Sequence, residues 1–402
     1  MDFALDSETL QRLERARELG RLELRPLGIE CDRLGRPTPP DHPFFAALLR
    51  LGMGGTRWRP AGEVQATPAR ETTTSARETR EGRSRVDLLI AEELSYWDRG
   101  VTVSFPGPGL GEPSVLSMGT EEQRARFLGP FARGDRPRWG AFAMTEPGAG
   151  SDVAGIRTSA RRDGADWVLN GEKSFAANAS RADWIVVFAT VDPALGRDGH
   201  RAFVVEHGTP GLGDFKIEHK MGLKAYESTS FALRDCRVPG ANLLGGEGHY
   251  ASRAGFKGAL RSFNATRPLV AAMATGIGRA ALDESLGFAR EQGLLGDVRV
   301  RDRLERVRRK LRMARLLGLR AAYMADRQRP NLADASIAKA VAPQVAFEAA
   351  SLGMELLGLV GGRGDHLIEK LFRDVKAMDI VEGTGQIQRL IVARELVQYP
   401  RD

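Results

Sequence analysis

Cysteine is nearly absent from this 402-residue chain. The two present, Cys31 and Cys236, lie too far apart for a metal or redox spacing, so neither a disulfide framework nor a metal site is expected. Long apolar runs are also missing. No stretch approaches the ~18 apolar residues of a membrane span, and no membrane function is expected. The opening Met1-Asp2-Phe3-Ala4-Leu5-Asp6 lacks the apolar core of a signal peptide, which predicts a cytoplasmic protein. Lysine is scarce: nine of the 59 basic residues, the rest being arginine. The net charge is still +7. That excess suits an anionic partner such as a nucleotide-bearing substrate, a phosphate-rich cofactor or an acidic carrier protein. No nucleic-acid motif or aromatic interleaving accompanies it, so nucleic acid is not an expected partner.

What is present is the balance of a folded, soluble protein, 42% apolar and 28% charged, long enough for two or three domains. The first part reads as helical. Leu10, Leu13, Ala16, Leu24 and Leu27 keep helical spacing over 7–34, with Ser7 as the expected N-cap and Pro26 as a break or kink. Further helices are expected over 42–51, ending at Gly52, and over about 86–97. Between them, 56–84 has Val64 as its sole large aliphatic residue and is expected to be an irregular exposed loop. Gly107, Gly109 and Gly111 follow no strand, and read as a loop rather than a phosphate cradle. Thr120 and Gln123 have capping-box spacing.

From about Arg138 the period changes from helical to alternating. Short strands are expected over 139–144, 167–173, 184–189, 202–205 and 230–233, which predicts a small antiparallel barrel or sandwich. After about Ala254 the chain reads as a helical bundle, with spans at 254–292, 298–328, 333–358, 366–378 and 386–398. The fold class is α+β: an N-terminal α-helical domain (1–136), a middle antiparallel β-barrel (137–245) and a C-terminal α-helical bundle (246–402).

Two stretches carry chemistry. Thr145-Glu146-Pro147-Gly148-Ala149-Gly150-Ser151-Asp152 follows the first strand. Its glycines let the backbone approach a ligand closely, and Thr145 and Ser151 add hydroxyls; taken alone it is equally an ordinary turn. Near the C-terminus, Ile380-Val381-Glu382-Gly383-Thr384-Gly385-Gln386 sets a carboxylate on an apolar approach just before a helix. Such a carboxylate is either a helix-start charge near the dipole or, when partly desolvated, a general base.

Together with Gly119-Thr120-Glu121-Glu122-Gln123, Lys220-Met221-Gly222-Leu223-Lys224 and Phe263-Asn264-Ala265-Thr266-Arg267-Pro268, these stretches resemble the acyl-CoA dehydrogenase family. The resemblance is strong over about 85–400, and the C-terminal part is most similar to the medium-chain enzymes. It implies an FAD cofactor, an acyl-CoA substrate oxidised to the trans-2-enoyl-CoA, and an acceptor such as an electron-transfer flavoprotein. It also implies a homodimer, a homotetramer or a heterotetramer with a paralogue. By resemblance Glu382 is the base that removes the α-proton, Thr266 standing where other members place that glutamate. Met144, Thr145, Gly150, Ser151, Phe175, Ala177, Thr384 and Gln386 are implied at the flavin. Ser151, Phe263, Asn264 and Arg267 are implied toward the substrate, with Arg267 against the active-site carboxylate.

The chain departs from the family pattern in several places. Phe175 can still stack on an isoalloxazine, but Ala177 lacks the hydroxyl that relatives aim at flavin N5. Asn264 replaces an acidic residue near the pantetheine. In homo-oligomeric relatives an Arg-x-Thr-Phe-Gly and a Gln-x-x-Gly-Gly segment hold the neighbouring subunit's flavin nucleotide. Here these read Gln292-Gly293-Leu294-Leu295-Gly296 and Glu355-Leu356-Leu357-Gly358-Leu359. A lost charge-assisted phosphate contact costs roughly 1.5–3 kcal/mol, about one to two decades in affinity. Two alternatives follow. The chain is one subunit of a hetero-oligomer whose partner completes the flavin site, or its substrate rides on an acyl-carrier protein. The second is motivated by Asn264, by extra residues around 248–254 and by the arginine-rich helix from Arg299 to Arg312.

Overall fold

Among the described residues helices come first and last, with a sheet between them. The computed structural model describes residues 5–58, 82–251 and 255–397, and side chains over the same residues except 251–265. Most of the irregular loop expected at 56–84 lies outside the described residues.

Helix α1 (Ser7–Leu19) starts under Asp6, whose carboxylate accepts from the Thr9 N–H at 2.6 Å. The cap is thus Asp6, one residue before the expected Ser7. A π-turn, Gly20–Leu24, carries α1 into α2 (Arg25–Leu34). Pro26 has no N–H to donate, and the wider turn absorbs that loss where a break was expected. Helix α3 (Pro43–Arg50) is capped by His42. Helix α4 (Arg83–Val103) is longer than the expected span because it continues through a kink at Asp98. After α5 (Gly111–Met118), α6 (Glu121–Ala132) opens with the expected capping box.

The strands are β1 (Gly140–Ala143), β2 (Ser159–Asp163), β3 (Asp166–Ala177), β4 (Trp184–Thr190), β5 (His200–Glu206), β6 (Leu212–Ile217) and β7 (Ser228–Val238). They form one curled sheet in the order β1-β4-β2-β3-β7-β6, with β5 on β4. Most pairings are antiparallel, as expected. However, β1 and β4 run parallel, Gly140 opposite Trp184, and β2 meets β4 in parallel at Ser159 and Thr190. Between β1 and β4 the chain makes the whole β2–β3 hairpin. That length lets it return to the same end of the sheet, as parallel neighbours require. Every residue of β4 is buried, which gives the apolar run seen in the sequence.

The C-terminal part comprises α7 (Gly246–Ala251), which was not expected, and α8 (Gly255–Glu291), α9 (Val298–Asp326), α10 (Leu332–Leu357), α11 (Leu367–Lys376) and α12 (Gly385–Val397), which lie close to the expected spans. Helix α4 belongs to this bundle as much as to the N-terminal helices. A Cβ added at Gly276 would lie 2.2 Å from the Glu92 carbonyl oxygen, so α4 and α8 touch backbone to backbone. Buried Glu92 then accepts from Arg279 at 2.7 Å and from Arg315 at 2.9 Å. Through α4, the first helices and the bundle are one packed body around the site.

Candidate active site

The loop after β1 is held from below by a buried ion pair. Lys173 is fully buried and donates to Glu146 at 2.7 Å and to the Met144 carbonyl at 3.2 Å. Glu146 also accepts from the backbone N–H groups of Arg157 and Thr158. Its backbone bonds Ala149 in both directions, which closes the turn. Met144 is buried, Thr145 is half-buried, and Gly150 and Ser151 stand at the surface. The loop borders a recess of about 490 Å³ whose walls include Pro147, Gly148, Asp152 and Arg157.

Beside this loop, β3 bulges against β7 between Lys173 and Ala176. The bulge turns Phe175 to a left-handed φ of 59°, uncommon for a bulky residue. The residue is 67% exposed, so the strained position leaves an aromatic side chain open to a planar ligand. The Ser174 N–H bonds the Thr145 carbonyl at 2.9 Å, which fixes the ring next to Thr145. Ala177 packs on the core of the C-terminal bundle, as does Val381. These residues fit a flavin ring between the loop and the bulge.

Glu382 follows Val381 in a turn between α11 and α12. Its φ is 56°, again a conformation few non-glycine residues adopt. Gly383 is at φ 92° and its carbonyl accepts from buried Gln388 at 3.1 Å. Thr384 spends its hydroxyl on its own helix, accepting from the Ile387 N–H at 3.3 Å. Gln386 is exposed. The turn is thus pinned, while the Glu382 Oε2 atom is buried with no hydrogen-bond partner. Such orphaned buried oxygens are rare and call for an explanation.

Among the described residues, three cations face this carboxylate. Arg267 comes from α8, Arg99 from the α4 kink and Lys339 from α10. Burial lowers the pKa of each, and Glu382 opposes that shift in each. Lys339 is fully buried, is pushed down to about 8, and its ammonium has no hydrogen-bond partner. Asp379 opposes the shift too, and its Oδ1 is likewise buried and unpartnered. Of the residues expected toward the substrate, Arg267 lies at Glu382. Phe263 and Asn264 lie on α8, with side chains outside the described residues. Sequence reasoning missed Arg99, Lys339, Asp379 and Tyr226, whose phenol faces Arg99. Of these, Lys339 left a signal: a lone cation in the alanine-rich stretch of α10.

The two segments expected to differ from the nucleotide clamp lie at bundle helix ends. Gln292 follows α8. Glu355 pairs with Arg303 of α9 in the same chain. Among the described residues no group of His, Cys, Asp and Glu could hold a metal ion, and no helix is long and apolar enough to cross a membrane.

Residues 79–135, 141–236 and 253–397 match the acyl-CoA dehydrogenase N-terminal, middle and C-terminal domains. A probable acyl-CoA dehydrogenase of Bacillus subtilis is 36% identical over 409 residues, covering 99% of this chain and all of that protein. The chain belongs to the acyl-CoA dehydrogenase family. It is an oxidoreductase of a family of FAD flavoproteins, and its cofactor is FAD. Its fold is that of the butyryl-CoA dehydrogenase of Megasphaera elsdenii, with a TM-score of 0.82 at 30% identity over 99% of this chain and 100% of that one. A chain in the structure of an electron-transferring flavoprotein of Acidaminococcus fermentans matches with a TM-score of 0.83, 30% identity and the same coverage. The prolyl acyl carrier protein oxidase AnaB matches with 0.81 at 25% identity, over 98% and 100%.

Proposed function

We propose that this acyl-CoA dehydrogenase oxidises a short acyl-CoA at the α,β bond, with Glu382 as the base. The observation that carries the reading is the Glu382 oxygen: buried, unpartnered, on a strained backbone and faced by cations. A carboxylate so placed is free to take a proton and is held at one spot while doing so. Arg267 compensates its charge before the proton arrives. The backbone N–H of Glu382 is the donor proposed for the thioester oxygen as charge develops there.

Bound FAD supplies the acceptor for the β-hydride. Met144, Thr145, Gly150, Ser151, Phe175 and Ala177 hold it from the β side, and Thr384 and Gln386 from the bundle side. By the family resemblance, Ser151, Phe263, Asn264 and Arg267 are the residues proposed for the substrate. An electron-transfer flavoprotein is the proposed reoxidant. The division at 136/137 and 245/246 belongs to the same reading, as it puts the loop and the base on different domains.

Glu382→Gln should keep FAD and lose turnover by about 10²–10⁴-fold, the usual worth of a general base. It is checked by single-turnover bleaching of the flavin with butyryl-CoA. An undiminished rate would remove Glu382 as the base.

A second reading concerns assembly: a paralogous partner completes the flavin site. It is favoured by Glu355, a carboxylate already paired with Arg303 at the position where relatives use an amide toward the cofactor. A visible spectrum of the chain purified alone decides it. Stoichiometric flavin in a self-only oligomer excludes the partner; a colourless chain that takes up flavin only on coexpression with a paralogue supports it. The carrier-protein alternative draws support from the likeness to the prolyl carrier-protein oxidase.

A further inference from the structure

The 220–224 loop between β6 and β7 follows the family pattern in sequence, and it packs on α11. A Cβ added at Gly222 would lie 2.6 Å from the Arg373 carbonyl oxygen, so loop and helix touch backbone to backbone, an approach that glycine permits. The next residue, Leu223, is buried at a left-handed φ of 52°. Its N–H donates to Asp374 at 2.5 Å. Strain of this kind persists only where the surroundings over-determine the backbone.

Helix α11 supplies those surroundings from one turn. The second Asp374 oxygen accepts from Lys370 at 2.5 Å, and Lys370 also donates to Asp98, at the α4 kink, at 2.6 Å. All three side chains are buried with their charges paired, as buried charges must be. Helix α2 closes over them: a Cβ added at Gly28 would lie 1.9 Å from Asp98 Oδ2, and Arg25 sets a further positive charge near Asp98 and Asp374. Arg373 completes the junction. It donates to both oxygens of Asp32 on α2 at 2.8 and 2.5 Å, to both oxygens of Glu369 at 2.6 and 2.7 Å, and to the Met221 carbonyl at 2.7 Å. Lys224 stands 3.4 Å from the same Asp32. One turn of α11 is thus bonded to α2, to α4 and to the loop that leads into β7.

Both sides of this junction lead to the reaction. On one side, the 3-10 turn Ala377–Asp379 follows α11 directly, and the Ile380 and Val381 N–H groups both bond the Ala377 carbonyl at 3.0 Å. Glu382 is next. Its Oε2 has no hydrogen-bond partner, so that oxygen takes its place from the backbone before it. On the other side, β7 pairs its Ser228 and Thr229 with Ala177 and Ala176, beside the Phe175 bulge. A base and a hydride acceptor must meet adjacent carbons of one substrate, and a misplacement of about 1 Å costs on the order of 10²-fold in rate. We propose that Lys370, Arg373 and Asp374 are positioning residues for the oxidation: they latch α11 to the 220–224 loop and so fix the spacing between Glu382 and the Phe175 face. This rests on the reading of Glu382 as the base and names the side chains that place it.

Arg373→Gln is the test variant, since Arg373 is the most exposed of the three. With butyryl-CoA, kcat should fall about ten- to hundredfold, while KM and flavin content stay as in the unchanged protein. The α-deuterium isotope effect on flavin reduction should rise, because a displaced base slows the step that breaks that C–H bond. Before any thioester is added, amide hydrogen exchange over 377–385 should quicken. Arg373→Lys keeps the charge without the fork and should recover part of all three changes; it carries the test if the glutamine variant does not fold. A purely structural part for Arg373 would lower the active fraction and leave the isotope effect where it was. Any one of rate, isotope effect and exchange left unmoved overturns the latch alone. Glu382→Gln is run beside it: an undiminished rate there overturns the base, and the latch with it.

Discussion

Lys173 and Lys339 are both fully buried, and burial pushes both down to about 8. Their surroundings differ completely. Lys173 closes on Glu146 and the Met144 carbonyl, and Glu146 closes on two backbone N–H groups. Around Lys339 the ammonium, an Asp379 oxygen and a Glu382 oxygen are all buried without hydrogen-bond partners. A closed set of polar groups is a scaffold, since it gains nothing from a ligand. An open set is held in place by the fold and left to be completed by substrate or by a proton. The loop after β1 is therefore built to stay, and the neighbourhood of Glu382 is built to change.

Mutation should break this contrast most strongly at Lys173. Lys173→Met leaves Glu146 as an uncompensated buried charge and should cost about 3–5 kcal/mol. Replacing Glu146 by Leu as well should restore most of that, because an apolar pair of similar volume is often neutral. Urea unfolding followed by circular dichroism measures both. A loss under about 1 kcal/mol in the single variant would show that the pair does not support the loop.

The loop was legible in the sequence for the same reason that it is closed. Thr145 to Asp152 are consecutive, and Lys173 follows one hairpin later. Glu382 was legible through the turn and helix that follow it. Arg99, Lys339, Asp379 and Tyr226 were not, because they come from four separate segments that meet only when α4, α8 and α10 pack onto the 377–385 turn. Helix periodicity marks Lys339 as inward-facing, but no spacing rule says which carboxylate it will find. The parallel β1–β4 pairing was hidden likewise, since alternation shows that a strand exists and not which neighbour it takes.

Lys339 sharpens the contrast through pH. Its pKa is about 8 in the folded chain, against 10.5 for an ordinary solvated lysine. At pH 9 the unfolded chain therefore holds a proton that the folded chain has released. Stability then rises with pH between about 8 and 10.5, and the cost of the buried cation is fully present below 8. The size is up to about 3 kcal/mol. Lys339→Met removes that cation from beside Asp379, Glu382 and Arg267. Its unfolding free energy should lack this rise, and at pH 7 it should equal or exceed that of the unchanged protein. Parallel pH profiles for the two proteins would refute the assignment of the rise to Lys339.

The smallest expected effect separates stability from function at Phe175. At φ 59° the phenylalanine backbone is strained by roughly 1–2 kcal/mol, and with the residue 67% exposed little burial is lost on removing its ring. Phe175→Gly should therefore raise the stability of the flavin-free protein by about 1 kcal/mol, seen as a higher melting temperature. The same change removes a stacking face worth roughly 0.5–1.5 kcal/mol, so FAD should be retained severalfold less well on gel filtration. A residue whose loss stabilises the empty fold but weakens the loaded one is held in strain for its ligand. A lower melting temperature would instead mean that the ring packs against the free chain, and the β3 bulge would join the closed scaffold with Lys173.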